Sequence, residues 1–415
     1  MLTPSYLFHA TEPAEEIAER LHQDILDRII ERVMLRFHRG DKYILTATDK
    51  WNIETLQEAG YLLEDIQKEI AKATPYMQSE IAEAMEDAGV RALEYDDAIY
   101  RNAGLNPVPI TQSPYLINIM QRDFEATLGE WKNFTGTLAD AVQKTFIRAC
   151  DTAYHQAMTG SISPAQAVRE ALEKVIEDGV YVDYPSGHRD TIETATARAV
   201  RTGISQASSH IQIARMDEMD VDLVLVSSHL GARPSHAEWQ GKIYHVDFAT
   251  PQFFGNQIIG VSRSRNTSGY PDFVTSTGYG TVTGLCGANC RHNFGPYFEG
   301  MGNPFEHYDN KENQKQYDME QRQRTLERRI RDTKRKVMNL KTALDSETDP
   351  AEKSKWEEKY QRKAALLQKQ NAAYNQHCKD NNLKRQAERV RIAKWDRSQA
   401  AKARAAAKRY SEDKK

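Results

Sequence analysis

The sequence predicts a mainly α-helical protein that carries one small α+β unit at about 190–300 and ends in a helical hairpin with a basic tail. Three observations predict it. Apolar residues recur at helical spacing through residues 14–158, and a heptad seam runs through residues 323–344. Between them, residues 221–300 form a compact block dense in glycine and aromatic side chains, with two short strand-like runs and two of the chain's four cysteines.

Residues 14–36 place Ile17, Leu21, Ile25, Ile29 and Val33 four apart, one stripe of an amphipathic helix. Helical patterning returns over 53–72 and over 76–101, then ends at Asn102-Ala-Gly-Leu-Asn-Pro107, with Pro109 and Pro114 beyond it. A further helix is expected over 115–158, stopped by Thr159-Gly160. Ser163 reads as the N-cap of the next, with Pro164 at its first position and Gln166 at capping-box spacing. That helix ends near Asp178-Gly179, and Tyr181 to His188 reads as extended chain or turn. Asp190 and Glu193 have capping-box spacing for a long helix rich in Ala, Thr and Ser, whose small side chains permit close packing. Leu223-Val-Leu-Val226 has the composition of a short buried strand. Lys242 to Val246 reads as a second, with the loop 228–241 between them.

The tail is a different material. With heptad position a at Gln323, Ile330, Val337 and Leu344, position d falls on Leu326, Thr333 and Leu340. The run at 345–350 breaks the helix, and Asp349-Pro350 with Glu352 restarts it. The second helix carries Trp356, Tyr360, Leu367 and Tyr374, so two antiparallel helices burying these seams are expected. Residues 384–410 are rich in Ala, Lys and Arg, and are expected to be helical only in part, or only when bound. The chain thus divides into an acidic helical region at 1–187, an α+β core at 188–300 and a charged hairpin with a basic tail at 301–415.

Composition narrows the function classes. With 40% hydrophobic and 28% charged residues and a mean hydropathy of −0.70, the chain belongs with soluble, rather polar proteins. No apolar run approaches the ~20 residues of a membrane span, and the opening MLTPSYLFHATEP is unlike a secretory signal. Four cysteines, two of them isolated, do not make a disulfide framework, which points to synthesis in a reducing cytoplasm. The net charge of −3 conceals an asymmetry: residues 301–415 carry 30 Lys+Arg against 18 Asp+Glu, and residues 1–300 carry 26 against 41. A chain split this way presents different surfaces to different partners. The plainer alternative is that both are solvated helix faces.

Three readings of the 221–300 block compete. The first is a metal site. Cys286, Cys290 and His292 lie within seven residues, and His229 and His236 precede them, a set of donors suited to tetrahedral zinc. The spacing departs from the common zinc-finger patterns, and the alternative is a pair of buried thiols in a tight Gly-rich turn. The second is catalysis in the 229–240 loop, which holds His229, Arg233, Ser235, His236 and Glu238, yet no G-x-S-x-G, Walker A, H-E-x-x-H or paired-carboxylate signature is present. The third, which the residues favour, is structural. Arg233, Trp239, Gln240 and Gly241 from one side, with Asn289, Arg291 and His292 from the other, would pin backbone groups of a β-unit too small to close on apolar contacts alone.

VSSHLGARPSHAEWQGKIY followed by GLCGANCRHNFGPYFEG resembles the phage minor capsid protein family of the second minor capsid type, related to the Mu F-like head-morphogenesis proteins. The preceding ARAVRTGISQASSHIQIARMDEMDVDLV is similar to that family's helix leading into the first strand. The resemblance is clear over about 190–300 and looser on either side. It implies a Mu F-like core and a low-copy internal component of the phage head, made in the host cytoplasm. Such a protein would associate with the portal protein, support head assembly and DNA packaging or ejection, and lack enzymatic turnover. A scaffold or major capsid protein and packaged double-stranded DNA are further expected partners, and zinc is the one cofactor indicated. Related Mu F-like proteins carry paired Cys-rich motifs where this chain offers His229 and His236. The basic tail suits DNA through phosphate neutralisation. Its densest patch is Arg328, Arg329, Arg331, Lys334, Arg335 and Lys336, with a second at Lys402, Arg404, Lys408 and Arg409.

Overall fold

The computed structural model describes residues 1–37, 48–160, 162–247, 252–254, 257–260 and 269–412. It is mainly helical, with small antiparallel sheets. In chain order the elements are α1 (Pro4–His9), α2 (Glu12–Phe37), α3 (Thr48–Asn102), α4 (Pro114–Met158), α5 (Pro164–Asp178), β1 (Val182–Asp183), β2 (Arg189–Asp190), α6 (Ile192–Glu218) and β3 (Leu223–Val226). There follow α7 (Pro234–Ala237), β4 (Ile243–His245), β5 (Gln252–Phe254), β6 (Gln257–Gly260), α8 (Phe273–Thr277), β7 (Phe294–Pro296), α9 (Asn310–Ser346), α10 (Pro350–Asp380) and α11 (Arg397–Glu412).

Two compact units form, each assembled from separated stretches. The first comprises Met1–Glu15, Tyr76–Lys132 and Thr196–Glu320; the second comprises Glu16–Pro75, Asn133–Ala195 and Gln321–Lys415. The stretches of the two units alternate along the chain, because the long helices supply residues to both. One helix, α3, takes the place of the two expected at 53–72 and 76–101. Pro75 sits inside it, where its ring removes one backbone N–H from the ladder at a typical cost of ~3 kcal/mol.

In the first unit a three-stranded sheet has the order β4-β3-β7, antiparallel throughout. β3 is the centre, and side-chain alternation explains why its four residues are all apolar. Val224 and Val226 enter the main core with Tyr100, Met216, Trp239 and Phe294, while Leu223 and Leu225 pack on the opposite face with Tyr297. β7 was not expected from the sequence. It is an edge strand ending in Pro296, which pairs with Val224, and its brevity leaves no alternating pattern to read. α6 meets the core of this sheet through Ile213 and Met216, and uses its small residues against α4. A Cβ at Gly203 would lie 2.2 Å from Thr127 Oγ1 on α4, so only glycine permits that approach.

In the second unit Ser163 caps α5 by accepting from Gln166 N at 3.2 Å. The box stays half closed, since the Gln166 side chain turns to Glu170. The residue preceding α6 is Thr191, with Asp190 in β2 instead of the capping position expected. Glu193 does not close a capping box either: it is buried, accepting from His22 Nδ1 at 2.9 Å and from Arg335. α9 and α10 form the expected hairpin. All seven seam residues from Gln323 to Leu344 are buried, as are Trp356, Tyr360, Leu367 and Tyr374. Asp349 caps α10 through Ala351 N and Glu352 N. Residues 384–410 are helical only in part, as expected: Glu388–Val390 makes a single 3-10 turn, and the continuous helix begins at Arg397 and runs to Glu412. Ala403, Ala406 and Ala407 bury one face of it, so small side chains give the packing that large apolar ones would otherwise supply.

Candidate metal centre

The loop 228–241 leaves β3, turns through α7 and returns as β4. Arg233 and Pro234 start α7, and His236 within it is 3% exposed. Facing it is the turn that runs from α8 to β7. That turn is as tight as a backbone allows: a Cβ at Gly284 would stand 1.9 Å from the Gly278 carbonyl oxygen, and one at Gly287 2.5 Å from that of Val282. Cys286 and Asn289 take positive φ of 58° and 60°, a region asparagine tolerates and cysteine rarely adopts. The result brings Cys290 and His292 to His236.

His236, Cys290 and His292 are all buried, and one donor atom from each lies within 4.8 Å of the others. His236 Nδ1 and His292 Nδ1 are each 3.8 Å from Cys290 Sγ. The remaining ring nitrogens are engaged elsewhere. His236 Nε2 is 2.9 Å from the Thr283 carbonyl oxygen, and His292 Nε2 is 3.0 Å from Gln240 Oε1. Burial lowers the pKa of both imidazoles, holding them neutral, and raises that of the Cys290 thiol.

Of the five residues expected to form a metal site, the fold gathers these three. Cys286 lies outside the group, its thiol directed to Ser205 and Ser209 of α6 and its pKa pushed far up by burial. His229 stacks on His292 with ring centroids 4.3 Å apart, and its Nδ1 meets the adjacent Leu230 carbonyl. Its Nε2 has no hydrogen-bond partner among the described residues, and burial, with Arg291 nearby, lowers its pKa to about 4.

The residues singled out as structural pins lie around this pocket. Arg291 donates to the Gly231 carbonyl at 3.0 Å and pairs with Glu320 at 3.4 Å. Arg233 reaches the Ala288 carbonyl at 3.4 Å. Gln240 accepts from His229 N as well as facing His292. The Trp239 carbonyl accepts from the Tyr244 hydroxyl, Gly241 takes a φ of 68°, and Asn289 shapes the facing turn. Sequence reading missed several partners. Asn313 exchanges two hydrogen bonds with the backbone of Ala232, both 2.9 Å. Gln212 bridges Asp96 and the Phe294 carbonyl. Both come from helices remote in sequence, and nothing in their local pattern distinguishes them.

The basic residues of the tail divide. Arg335 pairs with Glu193 and Glu19, and Lys336 with Asp332 and Glu177. Lys334 contacts the Val390 carbonyl and lies 5.6 Å from the centre of the Trp395 ring, with burial bringing its pKa down to about 8. Arg331 is half-buried. Arg328, Arg329, Lys402, Arg404, Lys408 and Arg409 are exposed, Arg409 pairing with Glu357 and Lys408 standing 3.7 Å from Glu412. No helix among the described residues is long and apolar enough to cross a membrane.

Comparison with known proteins gives this architecture a place. A structural protein of Lactococcus phage LL-H is 23% identical over 273 residues, covering 63% of this chain and 70% of that protein. No solved structure matches the chain. The family described as Phage minor capsid protein 2 matches residues 2–379. A match over that much of its length makes the chain a member of the phage minor capsid protein 2 family, and so a structural component of a phage capsid.

Proposed function

We propose that this minor capsid protein is a low-copy internal component of the phage head, seated at the portal vertex, that supports head assembly and the packaging or ejection of DNA. The observation that carries the reading is family membership over residues 2–379. The acidic helical surfaces are the docking faces for the portal protein and, during assembly, for a scaffold or major capsid protein.

The exposed cations Arg328, Arg329, Lys402, Arg404 and Lys408 would contact packaged double-stranded DNA by releasing counterions from phosphates, without reading sequence. Arg335 and Lys336 take no part, because each is engaged with carboxylates of its own unit. Turnover is not part of this role. In the 229–240 loop His236, the residue next to Ser235, is buried, with Nε2 at the Thr283 carbonyl oxygen and Nδ1 facing Cys290 Sγ. Purified particles should contain the full chain at low copy, cross-linked to the portal protein. Absence from particles, with a free monomer in the lysate, would sink the proposal. Affinity of the full chain for duplex DNA should fall steeply with salt, and Lys402→Ala with Arg404→Ala should flatten that slope by about two phosphate equivalents.

A further inference from the structure

We propose that His236, Cys290 and His292 bind one zinc ion, which cross-links the loop leading into β4 to the turn leading into β7. Three features of the pocket support this independently. The first is spacing. Tetrahedral zinc with Zn–S of ~2.3 Å and Zn–N of ~2.0 Å sets sulfur and nitrogen roughly 3.5 Å apart, and both Nδ1 atoms stand 3.8 Å from Cys290 Sγ.

The second is orientation. Each imidazole gives its Nε2–H to an oxygen, of Thr283 in one case and Gln240 in the other. Such outer partners fix the tautomer that leaves the opposite nitrogen as a bare donor. Two Nδ1 lone pairs therefore face one sulfur. A thiol has a single proton and can satisfy only one of them, so without a cation a buried acceptor is left unmatched. Zinc resolves the mismatch by taking all three lone pairs and releasing the thiol proton to solvent.

The third is the sulfur's own surroundings. Cys290 Sγ accepts the backbone N–H of His292 at 3.4 Å and a further backbone hydrogen bond from Cys286, with Arg233 and Arg291 nearby. These are groups that stabilise a thiolate.

The site has three protein donors, and a water completes the shell. Because the three ligands are buried, the ion acts as a fastener for the two edge strands. The full chain purified without added metal should contain one zinc per molecule, and cobalt exchanged into it should show tetrahedral d–d bands with one thiolate charge-transfer band. Cys290→Ser should lose both the zinc and that band, whereas Cys286→Ser should keep them. Gln240→Ala should weaken zinc affinity by about 10–100-fold. A folded wild-type chain that contains no zinc and gives no cobalt spectrum overturns the proposal, as does copper in its place or full occupancy in Cys290→Ser. If Cys290→Ser fails to fold, the wild-type cobalt spectrum alone decides, since its charge-transfer band is present or absent.

Discussion

The β-unit and the helical hairpin both bury polar groups, and they do so in opposite ways. Around β3 and β7 most of the buried groups that pin the sheet are neutral: amides of Gln212, Gln240 and Asn313, and imidazoles held uncharged by burial, with the Asp96 carboxyl, raised to about 7 by burial, as an ionisable exception. In the hairpin unit the buried set includes ion pairs, with Arg335 set between Glu193 and Glu19 at α9 and Arg169 on Glu352 of α10. A short sheet exposes many backbone groups that amides fit one at a time. A helix satisfies its own backbone and leaves only side chains to pair, and a highly charged helix can bury its seam flanks only by matching charges. The difference teaches that local backbone geometry decides which kind of polar partner a region requires.

The largest effect should come from the turn. Gly284→Ala forces a Cβ against the Gly278 carbonyl oxygen and should cost more than about 4 kcal/mol in denaturant unfolding. A loss under 1 kcal/mol would mean the turn is looser than its geometry implies. Next is Glu193→Ala, which strips Arg335 of one buried carboxylate and should cost about 3 kcal/mol. Combining Glu193→Leu with Arg335→Met should recover much of it. If the double replacement is no better than the single, the ion pair is not what the hairpin requires there.

The pH responses should also run in opposite directions. Burial raises the Asp96 carboxyl to about 7, above its ordinary ~3.9 in an unfolded chain. Between those values the folded form holds a proton that the unfolded form has released. Its contribution is therefore fully present below pH ~4, declines as the pH rises to about 7, and is flat above that. Asp96→Asn should remove this slope from urea titrations over pH 4–8. For Glu193 burial acts upwards, but Arg335 and then His22 outweigh it and hold the carboxyl well below its ordinary range. That contribution is present above the unfolded value and is lost as the pH falls towards the folded one. Glu193→Gln should flatten the acid limb alone. The smallest change is at a cap: Asp349→Ala removes the acceptor for Ala351 N and Glu352 N and should cost about 1 kcal/mol.

How far the fold was legible depended on the range of the interactions involved. The heptad seam, the Ser163 and Asp349 caps and the buried strand 223–226 were readable because each rests on neighbours within a few residues. β7 and the Asn313–Ala232 pairing were not, because three residues carry no period and a lone asparagine carries no address. The metal candidates illustrate both cases. Sequence grouped five donors by type and nearness, and could not tell that Cys286 turns to Ser205 and Ser209 while His229 lies flat on His292.

The sequence by itself determined the helical class, the hairpin, the cysteine-bearing turn and the family resemblance, since periodicity, caps and contiguous strings are properties of a linear chain. Tertiary structure alone decided that Arg335 is held between Glu193 and Glu19, that Glu193 is its counter-ion instead of a capping residue, and that one sulfur faces two imidazole nitrogens. Those outcomes depend on groups separated by 54, 142 and 2 residues meeting at hydrogen-bond range. Distance along the chain says nothing about that until the backbone has folded.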